Sequence, residues 1–192
     1  MYVFIHGGGY VGGTGSNYGP NLLLDEDVIL VTPNYRLGIL GFLNSEDGYV
    51  PANVGLKDLI LALKWIQRNI AAFGGDPGKV TLSGESAGAA AAWLLAISPA
   101  SKGLLHRLIV QSGSGMGQWA VTPNPLEKEL DFATKVGCPT LKKTAAVIEC
   151  LRKAPLEDLM AQEALPNNVR QCPPHTFPTR HHMMLGAEDK VI

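Results

Sequence analysis

The stretch VTLSGESAG, residues 80–88, decides the fold of this chain. Its first four residues read as a short buried strand, and the AAAAWLL run at residues 89–95 is an apolar run of good helix formers. Between them lies Gly-x-Ser-x-Gly, centred on Ser86. A strand, a sharp turn and a helix are the context in which this motif forms a nucleophile elbow. Such an elbow lifts the Ser86 hydroxyl above the sheet and places the Ala87 N–H beside it.

A second glycine motif, HGGG at residues 6–9, follows another apolar strand at residues 2–5. Gly-x-Ser-x-Gly alone is common by chance, and a glycine-rich turn can be no more than a tight connection. The two motifs together predict an acyl-transfer site. The N–H groups of Gly8 and Gly9 can approach a substrate oxygen because no side chain stands in the way. With the Ala87 N–H they would form an oxyanion hole of three donors.

Six ordered motifs carry a resemblance to a known family. They are HGGGY at 6–10, NYRLGILGFL at 34–43, NVGLKD at 53–58, NIAAFGGDP at 69–77, GESAG at 84–88 and QSGS at 111–114. Through them the chain resembles the type-B carboxylesterase and cholinesterase family of the α/β-hydrolase fold, and among its members the invertebrate carboxylesterases. The resemblance implies a serine hydrolase that cleaves carboxylic esters through an acyl-serine intermediate, with a small-molecule ester as substrate and no cofactor.

The fold class is therefore α/β, with a central, mostly parallel sheet flanked by helices. Apolar runs at residues 28–32 and 108–110 predict two further strands, and helical spacing predicts a long helix from a capping Asn53 to about residue 70. We expect one partial α/β-hydrolase domain over residues 1–192, incomplete at both ends. Its parts are a sheet core at 1–120, a helical cap region at 121–161 and an atypical tail at 162–192.

The composition and net charge of the chain limit the classes of partner that it can bind. The chain is 46% hydrophobic and 17% charged, with a formal net charge of −1, which is typical of a soluble globular protein and offers no electrostatic footprint for nucleic acid. It contains no apolar run long enough to span a membrane and no recognisable signal peptide. Because residues 1–5 resemble a central strand of the family, we expect the chain to be a fragment of a longer parent.

The resemblance also implies a disulfide between Cys138 and Cys150, with two buried free thiols as the alternative. A disulfide indicates an oxidising compartment, so the parent is expected to be secreted or lumenal. Cys172 is left over. No spacing of Cys and His predicts a metal site, and the adjacent His181 and His182 read as an exposed pair.

Further roles follow only from the resemblance. Glu85, beside the nucleophile, would tune the electrostatics of the site. Arg36 and Asp76 would form a buried ion pair, with two solvated loop charges as the alternative. Ser112 would either contact the residues that form the site, without touching the substrate, or be a turn serine at the end of a strand.

The base and the acid of a catalytic triad are harder to place, because they follow the serine in the order acid, then His. His106 precedes a strand, at the wrong end of the predicted sheet, and His175, His181 and His182 lie in a segment that does not match the family. No base is therefore assigned. Glu188 is a weak candidate for the acid.

Two alternatives remain open. Some relatives are adhesion proteins of the same fold without catalysis, neuroligin-like or glutactin-like. Ser86 and the intact glycine triplet at residues 7–9 favour the enzyme, since an adhesion protein has no chemical need for them. The other alternative is that the 192-residue chain is an inactive truncated product.

Overall fold

The computed structural model describes residues 1–117, 119–122, 125–140 and 144–163. Over the first 111 residues two strands are followed by two helices, a strand, a helix and a strand, and the described residues after that contribute three α-helices. The strands are β1 (Tyr2–Ile5), β2 (Leu30–Val31), β3 (Thr81–Glu85) and β4 (Arg107–Gln111). The helices are α1 (Gly38–Phe42), α2 (Val54–Asn69), α3 (Ala87–Ile97), α4 (Pro125–Lys135), α5 (Thr144–Lys153) and α6 (Leu156–Glu163).

The four described strands form one parallel sheet in the order β2-β1-β3-β4. The central strands β1 and β3 are in register from Tyr2 opposite Thr81 to Ile5 opposite Gly84. Because parallel strands end on the same side of the sheet, the chain leaves β1 and β3 at neighbouring points. The predicted parallel sheet is confirmed, and it brings the two glycine motifs side by side.

The helix α3 packs directly on this sheet, and most of its residues are buried because alanines allow a close approach. Along α2, by contrast, one face is buried and the other is exposed. The buried face contributes Leu56, Leu59, Leu63 and Ile66 to the main core. A second hydrophobic cluster lies among α4, α5, α6 and one residue of α1, Ile39.

Three details of the elements differ from the sequence-based prediction. The run at residues 28–32 yields only the two paired residues of β2, because only Leu30 and Val31 lie opposite β1. The helix α1 was not predicted. Asn53 does precede α2, but its φ of 56° is left-handed and its side chain makes no capping hydrogen bond.

Candidate active site

Ser86 lies at the turn between β3 and α3, as the motif predicted. Its backbone has φ 54° and ψ −121°, a combination that non-glycine residues rarely adopt. Hydrogen bonds on both sides hold this conformation: the Ser86 N–H donates to the Gln111 carbonyl (2.9 Å), and the Ser86 carbonyl accepts from the Ala90 N–H (3.0 Å). The half-buried serine is thus fixed at the carboxyl end of the sheet.

Two glycines make this turn possible through close backbone contacts. A Cβ on Gly84 would collide with the Gly88 carbonyl group, and a Cβ on Gly88 would collide with the Ile5 carbonyl oxygen. The first turn of α3 therefore rests directly on the end of β1. This contact sets the position of Ser86 relative to the loop that follows β1.

That loop carries the second glycine motif. Gly8 and Gly9 have φ values of 109° and 63°, in the region that favours glycine. The Gly8 carbonyl accepts from the N–H groups of Val11 (3.1 Å) and Gly12 (3.0 Å), which closes the loop. Among the hydrogen bonds within the described residues, none uses the N–H of Gly8, Gly9 or Ala87 as donor. These N–H groups can therefore bind an external oxygen.

Gly7 and Glu85 connect the loop to the elbow. A Cβ on Gly7 would lie 3.1 Å from the Ser86 Cβ and 2.7 Å from Glu85 Oε2. The loop and the nucleophile turn are thus in contact, and the Glu85 carboxylate lies at their junction. An electrostatic role for this carboxylate remains a prediction.

His6 and Tyr35 form a buried aromatic pair beneath the loop, with ring centroids 4.6 Å apart. The His6 Nδ1 lies 2.8 Å from the Gly7 carbonyl oxygen, and the Tyr35 hydroxyl donates to the His6 carbonyl oxygen (3.0 Å). The sequence alone predicts no separate role for Tyr35. One feature of the sequence could have indicated it: Tyr35 is an aromatic residue shortly after β2, and β2 ends beside β1.

The histidine predicted to lie away from the site does so. His106 precedes β4 at the amino end of the sheet, where its Nδ1 accepts from the Val80 N–H (3.3 Å). The other residues considered for the base and the acid lie outside the described residues, as does the unassigned cysteine: His175, His181, His182, Glu188 and Cys172.

The predicted ion pair between Arg36 and Asp76 is wrong. Arg36 binds Asp58 instead, through Nη2 to Oδ1 (2.7 Å), Nε to Oδ2 (2.8 Å) and its backbone N–H to Oδ2 (3.0 Å). This pair is not buried, because the Arg36 side chain is 57% exposed. Asp76 contacts Lys79 (3.5 Å) in a turn that leads into the amino end of β3, whereas Arg36 follows Tyr35 at the carboxyl end of the sheet.

The disulfide between Cys138 and Cys150 is present, with the two Cα atoms 5.9 Å apart. It connects the segment after α4 to α5 within the second hydrophobic cluster.

Within the described part of the chain, no group of three or more metal-binding side chains comes together. None of the described helices is both long enough and apolar enough to cross a bilayer.

Ser112 follows β4 with a left-handed φ of 54°. The next residue, Gly113, packs so closely on the elbow that a Cβ there would collide with the Ser86 carbonyl oxygen. The turn after β4 therefore supports the backbone of the elbow. Whether the Ser112 side chain contributes to the site remains a prediction.

Comparison with known proteins gives a consistent result. Residues 1–181 match the family model described as "Carboxylesterase family". Esterase FE4 of Myzus persicae is 52% identical over 156 residues, which are 81% of this chain and 28% of that protein. Neuroligin-2 of Homo sapiens is 44% identical over 167 residues, or 86% of this chain and 20% of that protein.

A solved structure is similar as well. The crystal structure of juvenile hormone esterase from Manduca sexta, with OTFP covalently attached, gives a TM-score of 0.79 at 40% identity. The match covers 84% of this chain and 31% of that one, and it confirms the predicted α/β-hydrolase fold. This chain spans less than a third of the length of each of these three proteins.

Proposed function

Because this chain belongs to the carboxylesterase family, we propose that the protein hydrolyses carboxylic esters with Ser86 as the nucleophile. One observation supports this most strongly. The strained turn at Ser86 touches the loop whose Gly8 and Gly9 N–H groups have no acceptor among the described residues. A strained nucleophile beside free backbone donors is the arrangement that acyl transfer requires.

In the proposed reaction, the Ser86 oxygen adds to the ester carbonyl carbon, and its proton passes to a general base. The carbonyl oxygen becomes an oxyanion that accepts hydrogen bonds from the N–H groups of Gly8, Gly9 and Ala87. Loss of one such donor typically costs about 2.7–4 kcal/mol of transition-state stabilisation. Collapse of the intermediate expels the alcohol, which takes up a proton. Water then adds to the acyl-serine and releases the carboxylic acid.

Neither described histidine is assigned as the base. The His6 ring is buried against Tyr35 with Nδ1 at the Gly7 carbonyl, and His106 lies at the opposite end of the sheet. The base is therefore sought beyond the described residues, where Glu188, the candidate for the acid, also lies. For Glu85 we propose an electrostatic role at the junction of loop and elbow, where its negative charge favours a protonated base in the transition state.

We further propose that the protein works in a secreted or lumenal compartment. The disulfide between Cys138 and Cys150 supports this location, because such bonds persist in oxidising environments. The proposed partner is a small-molecule ester.

The test is hydrolysis of p-nitrophenyl butyrate by the natural protein that carries this sequence. Ser86→Ala should lower kcat by roughly four orders of magnitude or more, since the nucleophile itself is removed. Ser98→Ala is the matched control. Ser98 flanks the other end of α3, where its hydroxyl accepts from the Ala100 N–H (3.3 Å), and its removal should leave kcat unchanged. Full activity of the Ser86→Ala protein would refute the proposal.

The second candidate is a non-catalytic adhesion protein, and the similarity to neuroligin-2 favours it. The two candidates differ in one measurable respect. An adhesion protein needs no reactive serine, so the purified wild-type protein would hydrolyse the ester no faster than the Ser86→Ala variant.

A further inference from the structure

We propose that Tyr35 is a positioning residue for the oxyanion loop: it holds His6, and His6 in turn sets the direction of the Gly8 N–H. The inference rests on the proposed ester hydrolysis and extends it to a residue outside the proposed nucleophile and oxyanion donors. It is carried by two hydrogen bonds and one ring contact, all of them beneath the loop.

The first link joins Tyr35 to His6. Tyr35 is 6% exposed and His6 is 1% exposed, so water does not compete for their polar groups. The Tyr35 hydroxyl donates to the His6 carbonyl oxygen (3.0 Å), and the two rings stack with an interplanar angle of 24°. The hydrogen bond fixes the peptide between His6 and Gly7, while the ring contact fixes the imidazole.

The second link joins His6 to the oxyanion donors. With its proton on Nδ1, the imidazole donates to the Gly7 carbonyl oxygen at 2.8 Å. That carbonyl and the Gly8 N–H belong to one planar trans peptide, in which they point in opposite directions. Holding the carbonyl down towards His6 therefore aims the Gly8 N–H up, out of the loop. Two consecutive peptides are thus fixed, one by Tyr35 and one by His6.

The loop benefits from this support because two of its proposed donors belong to glycines. Gly8 and Gly9 have no side chains to limit rotation of the backbone. Gly13 returns beneath the loop so closely that a Cβ there would lie 2.5 Å from the Gly7 oxygen and 2.6 Å from His6 Nδ1. This packing encloses the hydrogen bond between His6 and Gly7. Burial also raises the pKa of Tyr35, so its hydroxyl stays a donor throughout the working pH range.

The decisive variant is Tyr35→Phe, which keeps the stacked ring and removes only the hydroxyl donor. We expect kcat for p-nitrophenyl butyrate to fall about tenfold, the factor that corresponds to one lost neutral hydrogen bond. KM should change by less than about twofold, because the oxyanion exists only in the transition state. Each kcat is calculated per active site, and the active sites are counted by titration with a fluorophosphonate. A loss of folded protein therefore does not lower the calculated kcat.

Tyr2→Phe is the matched control. The Tyr2 hydroxyl also makes a partly buried hydrogen bond, to Ser83 Oγ (2.8 Å), but Tyr2 lies at the start of β1, the end remote from the loop. This variant should keep the wild-type kcat. An alkyl trifluoromethyl ketone gives a second readout, since its serine adduct carries a negative oxygen in the proposed hole. Its affinity should weaken in Tyr35→Phe in parallel with kcat/KM, and not in Tyr2→Phe.

The outcomes separate the two proposals. If Ser86→Ala abolishes hydrolysis while Tyr35→Phe behaves like Tyr2→Phe, the positioning role is refuted and the esterase stands. A higher KM with unchanged kcat would also refute it, because that pattern reports substrate binding. If Ser86→Ala leaves hydrolysis intact, both proposals fall.

Discussion

The sheet region, residues 1–117, and the helical region, the described residues of 125–163, hold their backbones in place in different ways. In the sheet region, a side-chain core is supplemented by contacts of backbone on backbone: α3 rests on β1 at Gly88, and the turn after β4 rests on Ser86 at Gly113. In the helical region, side chains such as Phe132 and Leu151 fill a separate cluster, and a disulfide cross-links it. Backbone contacts leave no room for adjustment, whereas side chains can repack.

The helix α1 joins the two regions. Phe42 lies in the main core with its ring 5.0 Å from that of Tyr10, whereas Ile39 on the same helix belongs to the second cluster. Nearby, the buried Glu129 accepts from the Asn44 N–H (3.0 Å) and ties α4 to the segment after α1. The proposed catalytic geometry therefore depends on the sheet region, while the helical region is attached to it through one short helix and its surroundings.

The largest effect should come from adding one methyl group to the sheet region. Gly88→Ala places a Cβ against the Ile5 carbonyl oxygen and 2.6 Å from that of His6, so the elbow must move. We expect a loss of roughly 4 kcal/mol or more in the free energy of unfolding, measured by urea denaturation. The matched change in the helical region is Gly137→Ala. There the added Cβ meets no described atom within 4 Å, and the φ of 85° alone costs roughly 1–2 kcal/mol. An equal loss in both variants would contradict the comparison.

The next effect concerns the helical region. Replacing both Cys138 and Cys150 by Ala opens a cross-link with a sequence separation of 12, which should cost roughly 3 kcal/mol in the loop-entropy account. Hydrogen exchange should accelerate in α4 and α5 and stay slow in β3 and α3. Uniform acceleration over both regions would mean that they unfold as one unit and that the distinction between them is wrong.

A smaller effect is expected where an ion pair at the protein surface joins a loop of the sheet region to α2. Asp58→Asn weakens three hydrogen bonds from Arg36 and should cost about 1 kcal/mol, since the pair is partly exposed. Asp76→Asn should cost less than Asp58→Asn by the same urea measurement, because its contact with Lys79 is exposed. The reverse order would contradict the assignment of Asp58 as the partner of Arg36.

The smallest effect is a dependence on pH. The Gly78 N–H, which donates to Asp76 at 2.8 Å, and the nearby Lys79 lower the pKa of the Asp76 carboxyl. Since the folded pKa lies below the ordinary value of about 3.9, the carboxylate stabilises the fold above that pH. This contribution is lost as the pH falls through the folded pKa. Unfolding curves between about pH 6 and pH 2 should show a shallower acid loss in Asp76→Asn than in the wild type. Identical slopes would contradict this assignment.

Much of the sheet region could be predicted because short apolar runs in the sequence indicate its strands. The bounds of β1 were predicted as found, and those of β3 and β4 differ from the predicted runs by one or two residues at each end. The run at residues 28–32 shows the limit of this reasoning. Its apolar character reports burial, but only a partner strand determines pairing, and β1 lies opposite just Leu30 and Val31.

The parts that were missed depend on contacts distant in sequence. The five residues of α1 are too few to show a helical period, and their burial comes from two separate cores. The partner of Arg36 was predicted from the family resemblance, whereas in the folded chain Asp58 is the carboxylate that lies beside Arg36. Tyr35 becomes interpretable only when β2 and β1 are side by side and its hydroxyl reaches His6.

The most direct test of the central claim is the site at which the natural protein reacts with a fluorophosphonate. We predict a single adduct, found by peptide mass spectrometry on the segment that contains Ser86 and absent from a folded Ser86→Ala variant. The strained turn and the free N–H groups of Gly8 and Gly9 are the reasons for this expectation. An adduct on another residue, or none on folded wild-type protein, would contradict the account.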